Sequence, residues 1–181
     1  MPCIDWTAVG SIASSIGVIV AIFTFIYESR RFRFTKAIDI LMQYDNRFDS
    51  PEFRATRRRA AKFLISGNKK EDKDGRQAIN DVLNFFETIA FLYKNKIIKA
   101  NMVWHTFGCW LLPYWKAAES YIQESRLEDP SSYEDTDTLF TDVLDIEKTS
   151  RYNRTKKSII DDESLNHILK CEAELPQTKK P

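Results

Sequence analysis

The chain has 181 residues, with 27 basic and 26 acidic side chains and a formal charge of +1, which suits one compact domain with appendages and excludes a global field drawing it to nucleic acid. Five glycines and six prolines are too few for the turns of an all-β sandwich. Cys3, Cys109 and Cys171 are too widely spaced for a zinc knuckle, a redox pair or a secreted disulfide framework, and fit a reducing compartment.

The first element is an uncharged run of twenty residues, Ala8 to Tyr27. At helical rise it measures about 30 Å, the thickness of a bilayer's hydrocarbon core. Trp6 and Tyr27 bracket it as interfacial anchors, so a membrane span is expected; a buried core helix is the alternative. The front carries Asp5 and no Lys or Arg, unlike a cleaved signal, so the segment is expected to stay attached. Arg30, Arg31, Arg33 and Lys36 follow it and are placed to contact lipid headgroups. Their side of the span is then cytoplasmic and the amino terminus outside. Gly10, Ser14, Gly17, Ala21 and Thr24 share one helical face, a stripe that allows close self-association in lipid; small residues are also frequent in any membrane helix.

No Pro or Gly interrupts Val18 to Ser50, so the helix is expected to continue past the arginines, with Phe34, Ile38, Leu41, Met42 and Phe48 at helical spacing. Ser50, Pro51 and Glu52 read as N-cap, first-turn proline and an acid matched to the helix start. A second helix runs to about Ile65, ended by Gly67. The polar loop "GNKKEDKDG" leads to a third helix over about Arg76 to Asn95. Ile79, Val82, Phe86, Ile89, Ala90 and Tyr93 form one side of it, widened by Phe85 and Leu92. The fourth carries Val103, Trp104, Phe107, Trp110, Leu111, Tyr114, Ala118, Tyr121 and Ile122 on one face, with Pro113 expected to kink it. After the acidic "LEDPSSYEDTD", Ser132 or Asp135 could cap a fifth helix through Leu139, Phe140, Val143, Leu144 and Ile146. The apolar pattern then thins; the spacing allows a short helix over Ser164 to Glu172, and "LPQTKKP" is expected to be disordered.

The fold class is therefore all-α: one amino-terminal transmembrane helix continuing into a small cytosolic bundle. Residues 1–29 form the anchor, 30–150 the bundle and 151–181 a polar, partly disordered tail. "VLNFFETIAFL" (Val82 to Leu92), "VWHTFG" (Val103 to Gly108) and "YW" (Tyr114, Trp115), behind "GSIASSIGVIVAIFTF", resemble a bacterial family of membrane-anchored helical proteins known as domain of unknown function 4760. The resemblance covers about Trp6 to Ile146. It implies a bacterial inner-membrane location and a helical cytosolic domain, and it carries over no catalytic residue.

Chemistry is sparse. His105, off the Trp104 and Phe107 stripe, and His167, in the sparse tail, are the two imidazoles; a metal site would need carboxylates or thiols beside them, and His105 is expected to face solvent or a partner. No phosphate loop, dinucleotide fingerprint or hydrolase elbow is present, and Cys109 has no basic neighbour in sequence to activate it. Neither cofactor nor catalysis is expected.

Glu87, in "NFFE", sits inside an aromatic run and needs water or a cation. Arg57, between Phe53 and Ala60 on the apolar face of the second helix, is the expected partner in a structural ion pair; a ligand-binding acid, or an enzyme acting on a lipid or nucleotide through Glu87, is the competing reading. "RATRRRAAK" adds Arg54, Arg58 and Arg59, a further lipid-facing group or one neutralised by the acids from Glu124 to Glu147.

The expected function is a single-pass, membrane-tethered interaction or assembly module, with Trp104, Trp110, Tyr114 and Trp115 mostly in the core. The alternative is a membrane-active oligomer, pore-forming or bilayer-perturbing, assembled through the small-residue stripe. Expected partners are membrane lipid, a second copy of the chain and a protein whose identity the sequence leaves open; nucleic acid is not expected.

Overall fold

The computed structural model describes residues 6–67, 71–155 and 161–176, including all their side chains except those of 6–17, Ile19 and 151–155. Among these residues the chain is all-helical, with seven helices and no strand. They are α1 (Trp6–Phe48), α2 (Pro51–Ile65), α3 (Lys73–Lys94), α4 (Ala100–Ala117), α5 (Glu119–Glu128), α6 (Glu134–Thr155) and α7 (Asp162–Ala173). The chain divides into two units, Met1–Ile40 and Leu41–Pro181.

In the first unit, α1 runs without a break past the arginines, as the lack of Pro and Gly predicts. Val18, Val20, Ile22, Phe23, Phe25, Ile26 and Tyr27 are all exposed, and at 100° per residue they are distributed around most of the helix. Among the described residues no helix is long and apolar enough to cross a membrane. The uncharged stretch Ala8 to Tyr27 falls only partly within them, since the side chains of its first ten residues and of Ile19 lie outside. Gly10, Ser14 and Gly17 are among those outside; Ala21 is exposed.

In the second unit, local chemistry sets the helix starts. Ser50 caps α2 by accepting from Phe53 N at 3.2 Å, with Pro51 in the first turn, and the chain leaves α2 through Gly67 at φ +81°, a backbone that favours glycine. α3 begins at Lys73, earlier than the apolar pattern suggests, because Asp72 caps it through Gly75 N at 2.9 Å. A Cβ on Gly75 would meet Phe63 Cδ2 at 2.7 Å, so this glycine is what lets α2 and α3 approach.

Ile79, Val82, Phe86, Ile89 and Ala90 of α3 and Val103, Phe107, Leu111 and Tyr114 of α4 are buried, as their spacing requires. The single fourth helix expected through Ile122 is two helices. Pro113 lies within α4, and the helical run is interrupted at Ala118 before α5. Phe48, 1% exposed, closes the floor with ring centroids 5.1 to 6.0 Å from Phe53, Phe85, Phe86, Phe107 and Trp110. Burying such a side chain stabilises the fold by about 2–3 kcal/mol.

α6 packs on α3 and α4, and α7 on α2 and α4. α7 belongs to the tail, and Asp161 caps it through Ser164 N at 2.7 Å. Beyond Pro176 the "LPQTKKP" end lies outside the described residues.

Candidate functional site

Arg57 projects from α2 into the apolar interior and is 2% exposed. Its guanidinium lies over the Phe48 ring, 4.0 Å from the centroid, and 5.7 Å from that of Trp110, contacts that favour a cation over π density. A charge so placed requires a counterion. The expected partner was Glu87, and the structure corrects this: Arg57 Nε is 3.2 Å from Oε2 of Glu172, on α7.

Glu172 is itself buried, and two aromatic donors converge on it. Trp110 Nε1 donates to Oε1 at 3.1 Å and the Tyr114 hydroxyl lies 3.2 Å from Oε2. That hydroxyl also reaches the Arg57 carbonyl at 3.0 Å, so one proton serves two acceptors. Burial pushes the Tyr114 hydroxyl well above the ordinary phenol range; Glu172 adds to the rise and Arg57 opposes it. Asp49 Oδ1 stands 3.9 Å from Arg57 Nη2. The result is a carboxylate clamp built from α2, α4 and α7 over an aromatic floor.

Glu87 is satisfied elsewhere. Its oxygens accept from Asp135 N at 3.4 Å, Thr136 N at 3.0 Å and the Thr136 hydroxyl, so it caps α6 from a neighbouring helix. Neither Ser132 nor Asp135 takes that part. Carboxylates suit this position because the first N–H groups of a helix lack internal acceptors and carry partial positive charge.

Several of the acids between Glu124 and Glu147 form ion pairs with residues outside α2. Glu124 pairs with Arg76 at 2.9 Å, Asp135 with Lys94 at 2.5 Å and Asp137 with Arg126 at 3.0 Å. On α2, Arg54 pairs with Asp49 at 3.3 Å and Arg58 donates to the Leu175 carbonyl at 3.3 Å, which draws both away from a lipid-facing role. A polar concavity of about 250 Å³ lies beside Arg76, Asn80, Tyr121, Glu124 and Tyr133; its arginine is held by Glu124, and the Tyr133 hydroxyl donates to Asn80 at 2.8 Å.

Trp104 and Trp110 are half-buried, each with its indole N–H on a buried glutamate, Glu147 at 2.7 Å for Trp104, while Tyr114 and Trp115 are buried. His105, His167, Cys109 and Cys171 are exposed, and among the described residues no cluster could hold a metal ion. Arg30, Arg31, Arg33 and Lys36 are exposed.

An all-helical bundle with a buried side-chain clamp defines the class of protein the described residues form. The chain belongs to the family described as Domain of unknown function (DUF4760), whose model matches residues 11–143. No curated protein and no solved structure matches it. The matched span contains Phe48, Arg57, Glu87, Trp110, Tyr114 and Thr136, and it ends before α7.

Proposed function

We propose that the protein is a membrane-tethered helical interaction module, working by binding rather than catalysis. One observation carries this reading: Phe23, Phe25 and Tyr27 are 69, 73 and 68% exposed on a helix whose apolar side chains point in most directions. A helix apolar all round needs lipid or protein about it. In the sequence the uncharged run extends back to Ala8, long enough for a bilayer. The exposed Arg30, Arg31, Arg33 and Lys36 then stand where anionic headgroups are, each contributing about 1 kcal/mol close to the surface. This supports a cell inner-membrane protein with its amino terminus outside and the bundle in the cytoplasm.

The test is extraction of membranes from cells making the full chain. Retention in the pellet under alkaline carbonate, with the bundle reached by protease only from the cytoplasmic side, is expected. Release by carbonate sinks the proposal. The same stretch could serve a membrane-active oligomer, and Gly17→Leu separates the two: loss of an effect on membrane potential would indicate the oligomer, whereas a tether tolerates the change.

A further inference from the structure

The seat of α7 has the anatomy of a helix-recognition groove. α7 presents Leu165, Ile168, Leu169 and Glu172, spaced three, four and seven residues from the first, and it rests on α2 and α4. Leu169 and Glu172 are buried. A twelve-residue helix is too short to persist alone in water, so its order depends on the groove. Anchors at this spacing are the ordinary means by which one chain's helix is recognised by another's groove.

Groove and occupant are opposite in charge. α2 carries Arg54, Arg57, Arg58 and Arg59, whereas residues 161–176 carry five acids against Lys170 alone. The fit is nonetheless incomplete. Among the described residues Arg57 Nη1 is buried without an acceptor, and Nε faces Glu172 without hydrogen-bond alignment. Both Glu172 oxygens are already engaged by Trp110 and Tyr114. A buried donor left unpaired weakens the hold of whatever segment leaves it so. The groove, moreover, lies within the span that defines the family and its occupant lies outside it.

From this we infer that the groove between α2 and α4 is a docking site for an acidic amphipathic helix of a partner protein, and that α7 occupies it as a self-ligand. A partner helix offering a second acceptor to Arg57 outcompetes α7. The inference deepens the interaction-module reading and rests on it, but groove binding is measured without a membrane, so failure of either is seen separately.

The experiment uses the full chain in mild detergent and a fluorescent peptide of residues 161–176, native or with Glu172→Gln. In the wild type the tethered α7 competes at high effective concentration. Glu172→Gln in the chain weakens that competitor and leaves the groove intact. The native peptide is expected to bind this variant about ten-fold tighter than it binds the wild type, and the Glu172→Gln peptide to bind neither. Leu169→Ala in the chain, loosening α7 at its aliphatic anchor, should give a similar gain and guards against one variant failing to fold. Equal binding of the two peptides, or no binding to either folded variant, overturns the inference. Wild-type chain that dimerises with concentration, and ceases to with Glu172→Gln, overturns it in favour of α7 exchanging between copies.

Discussion

Two seams of the bundle each draw a glutamate in among aromatic rings, and they satisfy it differently. Between α3 and α6, Glu87 receives the backbone N–H groups of Asp135 and Thr136 as well as a hydroxyl. Between α2, α4 and α7, Glu172 meets only side chains: an indole, a phenol and a guanidinium. Backbone donors at a helix start exist wherever the helix exists, so Glu87 and α6 fix one another as part of the fold. Side-chain donors have to be brought together from separate elements. The second seam can also open with its charge going into water, because Glu172 travels with α7 while Arg57 stays behind on α2.

That asymmetry gives the largest expected effect. Glu172→Leu leaves Arg57 with only Asp49 at 3.9 Å while α7 stays docked, and should cost up to about 3–5 kcal/mol, with the docking free energy of α7 as the ceiling. Arg57→Leu leaves Glu172 without its cation under the same ceiling, but Trp110 and Tyr114 still face the carboxylate, so the loss is smaller. The double variant should recover most of the loss, since replacing a whole buried pair by apolar groups is often close to neutral. Urea titration of the four proteins measures the cycle, and hydrogen exchange over 162–173 reports whether α7 has left. Equal losses in the singles, with no recovery in the double, would erase the distinction between the seams.

The sequence disclosed the need at this site but not the answer to it. Arg57 falls between Phe53 and Ala60 on an apolar face, so its burial and its demand for a carboxylate are legible from spacing alone. Glu87, the acid in the aromatic run, was the natural candidate. Glu172 lies in a tail with only a few apolar residues nearby, too weak a pattern to announce that the segment docks. The start of α6 escaped for a related reason: a cap supplied by Glu87 from another helix leaves no signature near Ser132 or Asp135. Ser50, Pro51 and Glu52 were readable because that cap is made entirely within one turn. The end of α4 at Ala118 was not readable, since Pro113 lies inside the helix and the interruption comes five residues later.

The first seam can be tested by removing its acid. Glu87→Ala should cost about 1–2 kcal/mol, the range for loss of a helix cap, and should speed hydrogen exchange at the amides of Asp135 and Thr136 while leaving 162–173 unaffected. Chemical denaturation gives the first quantity and exchange the second. If exchange accelerates in α7 instead, the two seams are coupled and their comparison as separate devices fails.

The smallest effect is a difference in alkaline sensitivity. Each seam holds a tyrosine: Tyr93 donates to Asp142 at the first, and Tyr114 faces Glu172 at the second. Both hydroxyls are raised above the ordinary phenol value, Tyr93 chiefly by its bond to Asp142 and Tyr114 chiefly by burial, and Tyr114 further. A phenol that stays protonated in the fold and ionises near about 10 when unfolded stabilises fully below that pH. Above it the unfolded chain binds fewer protons than the folded one, so stability falls as pH rises toward the folded value. For Tyr114 the loss should reach about 1 kcal/mol near pH 11. Thermal melts between pH 8 and 11 should therefore show a shallower alkaline decline in Tyr114→Phe than in wild type, and a lesser change in Tyr93→Phe. The reverse order would mean that the α7 seam admits water more readily than the α6 seam, which is incompatible with a clamp closed over Arg57.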